Sequence, residues 1–157
     1  GGLTSELWRL DVEDSLVPWW TLVSAGGVTP SPRASAALVV VLGTLYVHGG
    51  EAPGGNATDS VVHSLRITGG AAGAEWNATA PPGGPGRRAG HTWTAVGDSY
   101  AFMSGGVPFT NRTHLFRAGP NPAWRDISHI TGGAPAVRGG SAGTLGLQYL
   151  HFGGRYP

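Results

Sequence analysis

Six histidines, nine carboxylates and ten arginines are the groups in this 157-residue chain that could carry chemistry. A protein metal site needs several converging ligands, which a sequence advertises by short spacings such as H-x-H or H-E-x-x-H. Neither spacing occurs, and there is no cysteine to supply a thiolate, a disulfide or a cysteine nucleophile. His48 and His151 stand beside Gly-Gly pairs, while His63 and His114 share another local pattern; repetition explains both pairs without a ligand. Glycoside hydrolysis needs paired carboxylates. Asp11, Glu13 and Asp14 cluster on what reads as an inter-strand connection, where a solvated turn accounts for them. Serine, histidine and aspartate are present without a G-x-S-x-G elbow. Gly83-Gly84-Pro85-Gly86 lacks the Lys-Ser/Thr that completes a phosphate loop. No catalytic, metal or cofactor-binding residue is assigned, and no cofactor is expected.

One modification signal is stronger. Three of the four asparagines lie in N-x-Ser/Thr sequons, at Asn56, Asn77 and Asn111. Serine and threonine are too sparse for that share to follow from composition. Asn56 and Asn111 fall in equivalent loops, where a glycan would project into solvent. The expectation is a glycoprotein of the secretory pathway, extracellular or at the cell surface.

Composition limits the partners. Charged residues make up 12% of the chain and the net charge is +1. All the basic residues are arginines, scattered apart from Arg87-Arg88, so no cationic footprint for nucleic acid is present. The longest apolar run, Ala36 to Leu42, suits a strand and is far too short to span a membrane. Twenty-eight glycines and twelve prolines recur between apolar runs, as turns between strands do.

The elements that position these residues repeat. Pro32-Arg33 leads to the run Ala36–Leu42 and then to Tyr46-Val47-His48-Gly49-Gly50. Arg88-Ala89-Gly90-His91 leads to Thr92–Val96 and then to Phe102-Met103-Ser104-Gly105-Gly106. Arg138-Gly139-Gly140-Ser141 leads to Leu145-Gly146-Leu147 and then to His151-Phe152-Gly153-Gly154. Successive Gly-Gly pairs lie 56 and 48 residues apart, and Trp20, Trp76 and Trp124 show the same two spacings. Two independent markers with one pair of spacings define a repeat.

The order within each unit resembles the kelch repeat: an Arg-containing turn, an apolar strand, a strand ending in Gly-Gly, a third strand, and a strand carrying tryptophan. The resemblance spans nearly the whole chain, with Ala36 and Ser141 standing where the second unit has His91. It implies an all-β fold, a kelch-type β-propeller segment of four-stranded antiparallel blades. Residues 3–24 would give two late strands, 32–80 and 86–130 full blades, and 136–154 two early strands. Inner strands reading as apolar runs suit blades packed on both faces. Tryptophan once per unit would fill the space between blades.

About three blades cannot close a ring, since propellers typically hold four to eight. The remaining blades are expected first from the same polypeptide, of which this sequence would be a piece, and otherwise from another chain. Kelch domains act mostly as interaction surfaces, so the resemblance implies a non-enzymatic module binding a protein or glycan. The alternatives are a structural subunit of a filament or coat, and the scaffold of a copper-oxidase-like kelch enzyme. That enzyme's cysteine-linked tyrosine could not come from this chain.

Overall fold

A computed structural model of the chain describes residues 2–12, 17–66, 74–132, 137 and 139–156. Among these residues every regular element is a strand: β1 (Trp8–Asp11), β2 (Trp19–Leu22), β3 (Gly26–Gly27), β4 (Ala37–Val41), β5 (Thr44–His48), β6 (Val62–Arg66), β7 (Glu75–Thr79), β8 (Thr92–Val96), β9 (Tyr100–Ser104), β10 (Thr113–Arg117), β11 (Ala123–Asp126), β12 (Ser141–Leu145) and β13 (Gln148–Phe152). They form four sheets, ordered β1-β2, β3-β7-β6-β5-β4, β11-β10-β9-β8 and β12-β13. All pairings are antiparallel except β3 with β7. Among the described residues no helix is long and apolar enough to cross a membrane.

The strands are shorter than their apolar runs. Leu42 and Gly43 form the turn between β4 and β5, with φ of 53° and 66°. Both being positive matches the twist of a tight hairpin. Gly146-Leu147 likewise turns between β12 and β13 and does not extend a strand. The second sheet also has a fifth strand that a four-stranded unit does not provide. Gly27, at φ 79°, lets β3 lie so close to β7 that a Cβ there would stand 2.2 Å from the Trp76 carbonyl oxygen.

Apolar side chains pack in two clusters between sheets. Val39, Val41, Tyr46 and Val62 of the five-stranded sheet meet Trp93, Met103, Phe116 and Trp124 of the four-stranded one. On the opposite face, Leu45, Leu65 and Trp76 meet Val23, with Leu7 and Ala25 alongside. Strand alternation sends one set of side chains to each cluster.

Two expectations about burial are corrected. Trp76 and Trp124 are buried, but Trp20 is 63% exposed although it holds the equivalent register position. Trp76 and Trp124 each face the sheet that precedes theirs in the chain; no described sheet precedes β1 and β2. Nor is β4 buried on both faces. Ala37, Val39 and Val41 are buried, while Leu38 and Val40 remain more than half exposed because among the described residues no strand pair covers that side.

The Gly-Gly pairs join one sheet to the next. The Gly50 amide donates to the Arg88 carbonyl (2.9 Å), and the Gly106 amide donates to that of Val137 (2.8 Å). A Cβ on Gly49 would lie 2.2 Å from the Arg88 carbonyl oxygen, and one on Gly105 would lie 2.4 Å from that of Val137. Only glycine admits such an approach at positive φ. The arginine of each turn is tied to the same feature: Arg33 Nη1 donates to the Gly49 carbonyl (2.9 Å) and Arg88 Nη1 to that of Gly105 (3.0 Å). Gly153 and Gly154 repeat the positive φ values, but Gly153 meets no neighbour within 4 Å. Arg138 lies outside the described residues.

Candidate functional site

The connections β5–β6 and β9–β10 leave the Gly-Gly ends of their strands, and each carries a sequon. Asn56 and Asn111 are exposed there. Asn77 is exposed on β7, beside buried Trp76, as strand alternation dictates. Of the acidic cluster, Asp11 belongs to β1 and is not in a connection. It accepts from Thr21 Oγ1 (3.1 Å) and Arg9 Nη2 (3.0 Å), a bonding role within the β1–β2 sheet. Glu13 and Asp14 lie outside the described residues.

Beside Asn111 the β9–β10 connection and the Arg87-Arg88 turn enclose a cleft of about 330 Å³. Its wall combines Pro108 and the half-exposed ring of Phe109 with Arg87, Arg88, Arg112 and His114. Arg88 is 5% exposed and is held by the carbonyls of Gly105 and Pro85. Burial, with Arg112 nearby, lowers its pKa to about 10, so it stays charged at neutral pH. Arg112 Nη1 donates to Asp126 Oδ2 at 2.9 Å. Hydrogen bonds from the Ser128 hydroxyl and amide hold Asp126 at a pKa of about 2. His114 lies at the floor, 4% exposed, and burial followed by the charge of Arg88 lowers its pKa. The cleft therefore offers an apolar ring beside fixed cations, a surface for flat polar ligands.

Deeper, between the two large sheets, two histidines converge that spacing did not pair. His48 Nδ1 and His91 Nε2 are 3.4 Å apart. Their rings meet edge to face, and His48 also contacts the edges of Trp93 and Trp124. One of the facing nitrogens must carry the proton and the other accept it. The sequence signal was their position: His48 precedes one Gly-Gly and His91 follows the turn that docks on it. His48 and His151, and His63 and His114, do not converge on a shared ligand position. Among the described residues no group of three or more His, Cys, Asp or Glu side chains could hold a metal ion.

The histidine pair predicts acid sensitivity. Burial, and then the charge of Arg88, lowers His48 to about 4; burial and then His48 itself push His91 well below its usual value. The unfolded chain binds protons below about pH 6.5 that the folded pair refuses, so stability is complete above that pH and falls towards pH 4. His48 alone accounts for about 3 kcal/mol over that window. Urea midpoints at pH 7 and 4.5 test this: the parent should fall steeply and His48→Gln less. Equal midpoints at both pH values in the parent would contradict it.

No family model matches the chain, and no curated protein matches it. Among solved structures it is similar to that of YjhT, with a TM-score of 0.70 and 23% identity, covering 96% of this chain and 45% of YjhT. The chain thus spans less than half the length of that protein. The likeness extends over all four sheets and fixes the fold: all-β, built from several antiparallel sheets, none of them closed on itself.

Proposed function

We propose that the chain is a run of kelch-type propeller blades serving as a non-enzymatic binding module for a protein or glycan, in a secreted or cell-surface glycoprotein. The sheets β4–β7 and β8–β11 are full blades, β1–β2 the outer half of another, and β12–β13 the inner half of a fourth. The repeated interlock supports this reading: the Arg88 carbonyl docks on Gly49-Gly50 and the Val137 carbonyl on Gly105-Gly106, so two successive junctions are set by the same backbone contact. The observation that carries the binding role is the cleft beside Asn111, with Phe109 and Arg112 at its mouth. Rigid strands ending in loops are the usual arrangement for recognition.

Glycan and peptide arrays probed with the whole chain test the reading. A ligand held at the cleft should bind at least about tenfold more weakly to Phe109→Ala, a loss of one stacked ring. Arg112→Ala should weaken it to a similar degree. A ligand bound as tightly by both variants as by the parent removes the cleft from the proposal. The secretory reading has its own test. Expressed through a eukaryotic secretory route, the chain should lose mass on treatment with an N-glycosidase, and replacing Asn56, Asn77 and Asn111 by glutamine should abolish the shift. No shift in the parent would remove the case for a glycoprotein.

The exposed apolar strand faces favour a second reading within the same class, an assembly subunit whose open sheets meet other chains.

A further inference from the structure

Arg33 and Arg88 occupy the same place in successive units, yet only one of them meets an acid. Both guanidinium groups donate to the carbonyl of the first glycine in a Gly-Gly pair, Gly49 and Gly105. Arg33 is further held by Ser31, by Thr58 Oγ1 at 3.3 Å and by Asp59, whose Oδ2 lies 3.8 Å from Nη2. Arg88 has the Pro85 carbonyl instead, and its buried Nε has no hydrogen-bond partner among the described residues. Nor does it form an ion pair with any of them. Buried arginines are normally paired, and this one is 5% exposed without a countercharge.

Register shows which substitution removed the acid. Val62 pairs with His48 and Thr113 with Ser104, and both His48 and Ser104 directly precede their Gly-Gly pairs. Counting back three residues from Val62 and from Thr113 aligns Asp59 with Thr110, and Thr58 with Phe109. Hydrogen bonding gives the same alignment: the Val61 amide donates to Asp59 Oδ1 and the Arg112 amide to Thr110 Oγ1, both at 3.1 Å. Thr110 therefore makes the turn that Asp59 makes and lacks its charge. The neighbours change in the same sense. Arg87 stands where the first unit has Pro32, and Arg112 where it has Val61. Asp126 is taken up by Arg112 and Ser128, and neither Arg87 nor Arg88 has an ion-pair partner among the described residues.

Resting on the binding role proposed for this cleft, we infer that its ligand is an acidic peptide segment of a partner protein, whose aspartate or glutamate carboxylate settles beside Arg88 as Asp59 settles beside Arg33. The first unit supplies the argument for a peptide: there an acidic side chain carried on a polypeptide loop fills the position. The cleft of about 330 Å³ has room for such a side chain and part of its backbone. Guanidinium groups recognise carboxylates through charge-assisted, two-pronged hydrogen bonds. Phe109, 39% exposed, offers its ring to the apolar atoms of the peptide, and arginine beside an aromatic ring is the composition of an interaction hot spot. Arg88 is already fixed by two carbonyls, so it loses little side-chain freedom on binding.

Two blocked peptides separate the charge from the contact: acetyl-Gly-Glu-Gly-amide and its glutamine counterpart, titrated into the isotopically labelled chain and followed by NMR. The glutamate peptide should shift the Thr110 and Arg112 amides saturably and bind at least about tenfold more tightly than the glutamine peptide. Thr110→Asp restores the acid of the first unit in place, so it should weaken the glutamate peptide at least about tenfold. It should do so without lowering the melting temperature, because Asp59 makes the same turn with Val61. Thr110→Asn caps the turn without charge and should lose far less. Equal affinities for the two peptides, or equal losses in the two variants, overturn the acid and leave the binding cleft standing. No saturable shift from either peptide overturns the acidic peptide; an array ligand that still depends on Phe109 would then preserve the binding role alone. Glucuronate binding more tightly than the glutamate peptide would assign the site to an acidic sugar and overturn the peptide.

Discussion

Gly49→Ala is expected to destabilise the chain by more than about 3 kcal/mol, and Gly43→Ala by only about 1 to 2. Both glycines have φ of 66°, so the left-handed backbone penalty on a side chain is the same. They differ in what a Cβ would meet. At Gly43 there is nothing within 4 Å; at Gly49 the Cβ would stand 2.2 Å from the Arg88 carbonyl oxygen and 2.9 Å from the His91 ring. Backbone cannot give way as a flexible side chain does, so the two large sheets must separate there. Separation also weakens the Gly50–Arg88 hydrogen bond and the His48–His91 contact. Chemical denaturation of the two variants side by side measures the difference. Equal losses would mean that the interlock contributes nothing beyond backbone conformation.

Trp124→Ala is expected to cost about 3–5 kcal/mol. The ring is 6% exposed and stands 5.3 Å from Trp93, 4.7 Å from Phe116 and 5.7 Å from His48, centroid to centroid. Its removal opens a hole between two sheets whose strands are hydrogen-bonded into place, so little collapse can refill it. Trp76→Ala should fall in the same range, because Trp76 packs with Leu45, Leu65 and Val23 on the opposite face. In a monomeric chain, Trp20→Ala should cost less than about 1 kcal/mol, in keeping with its exposure. A Trp124 variant melting like its parent, or a Trp20 variant as damaged as Trp124→Ala, would show that the packing between sheets is not as described.

The contrast between the three tryptophans marks the boundary between local and tertiary information. Residue order alone determined the repeat, the all-β character, the turn glycines and the one-per-unit tryptophans. Each of these is a short-range consequence of backbone conformation and side-chain alternation, and needs only a few consecutive residues to be read. The exposed position of Asn77 beside buried Trp76 belongs to this set, since the period of a strand is two. What lies across an interface has no such local signature. Trp20, Trp76 and Trp124 are equivalent in spacing and register, yet Trp20 is left open because burial depends on the sheet that faces it. The same holds for Leu38 and Val40, which read as core within an unbroken apolar run and stand exposed. His48 and His91, 43 residues apart, converge only because the Gly49-Gly50 backbone admits the Arg88 turn at close range. The cleft near Asn111 likewise exists only once Arg88 has been pulled under Gly105 and the β9–β10 connection folds over it. Tertiary structure decided these features because they depend on contacts between sheets, and sequence spacing within a sheet carries no record of its neighbour.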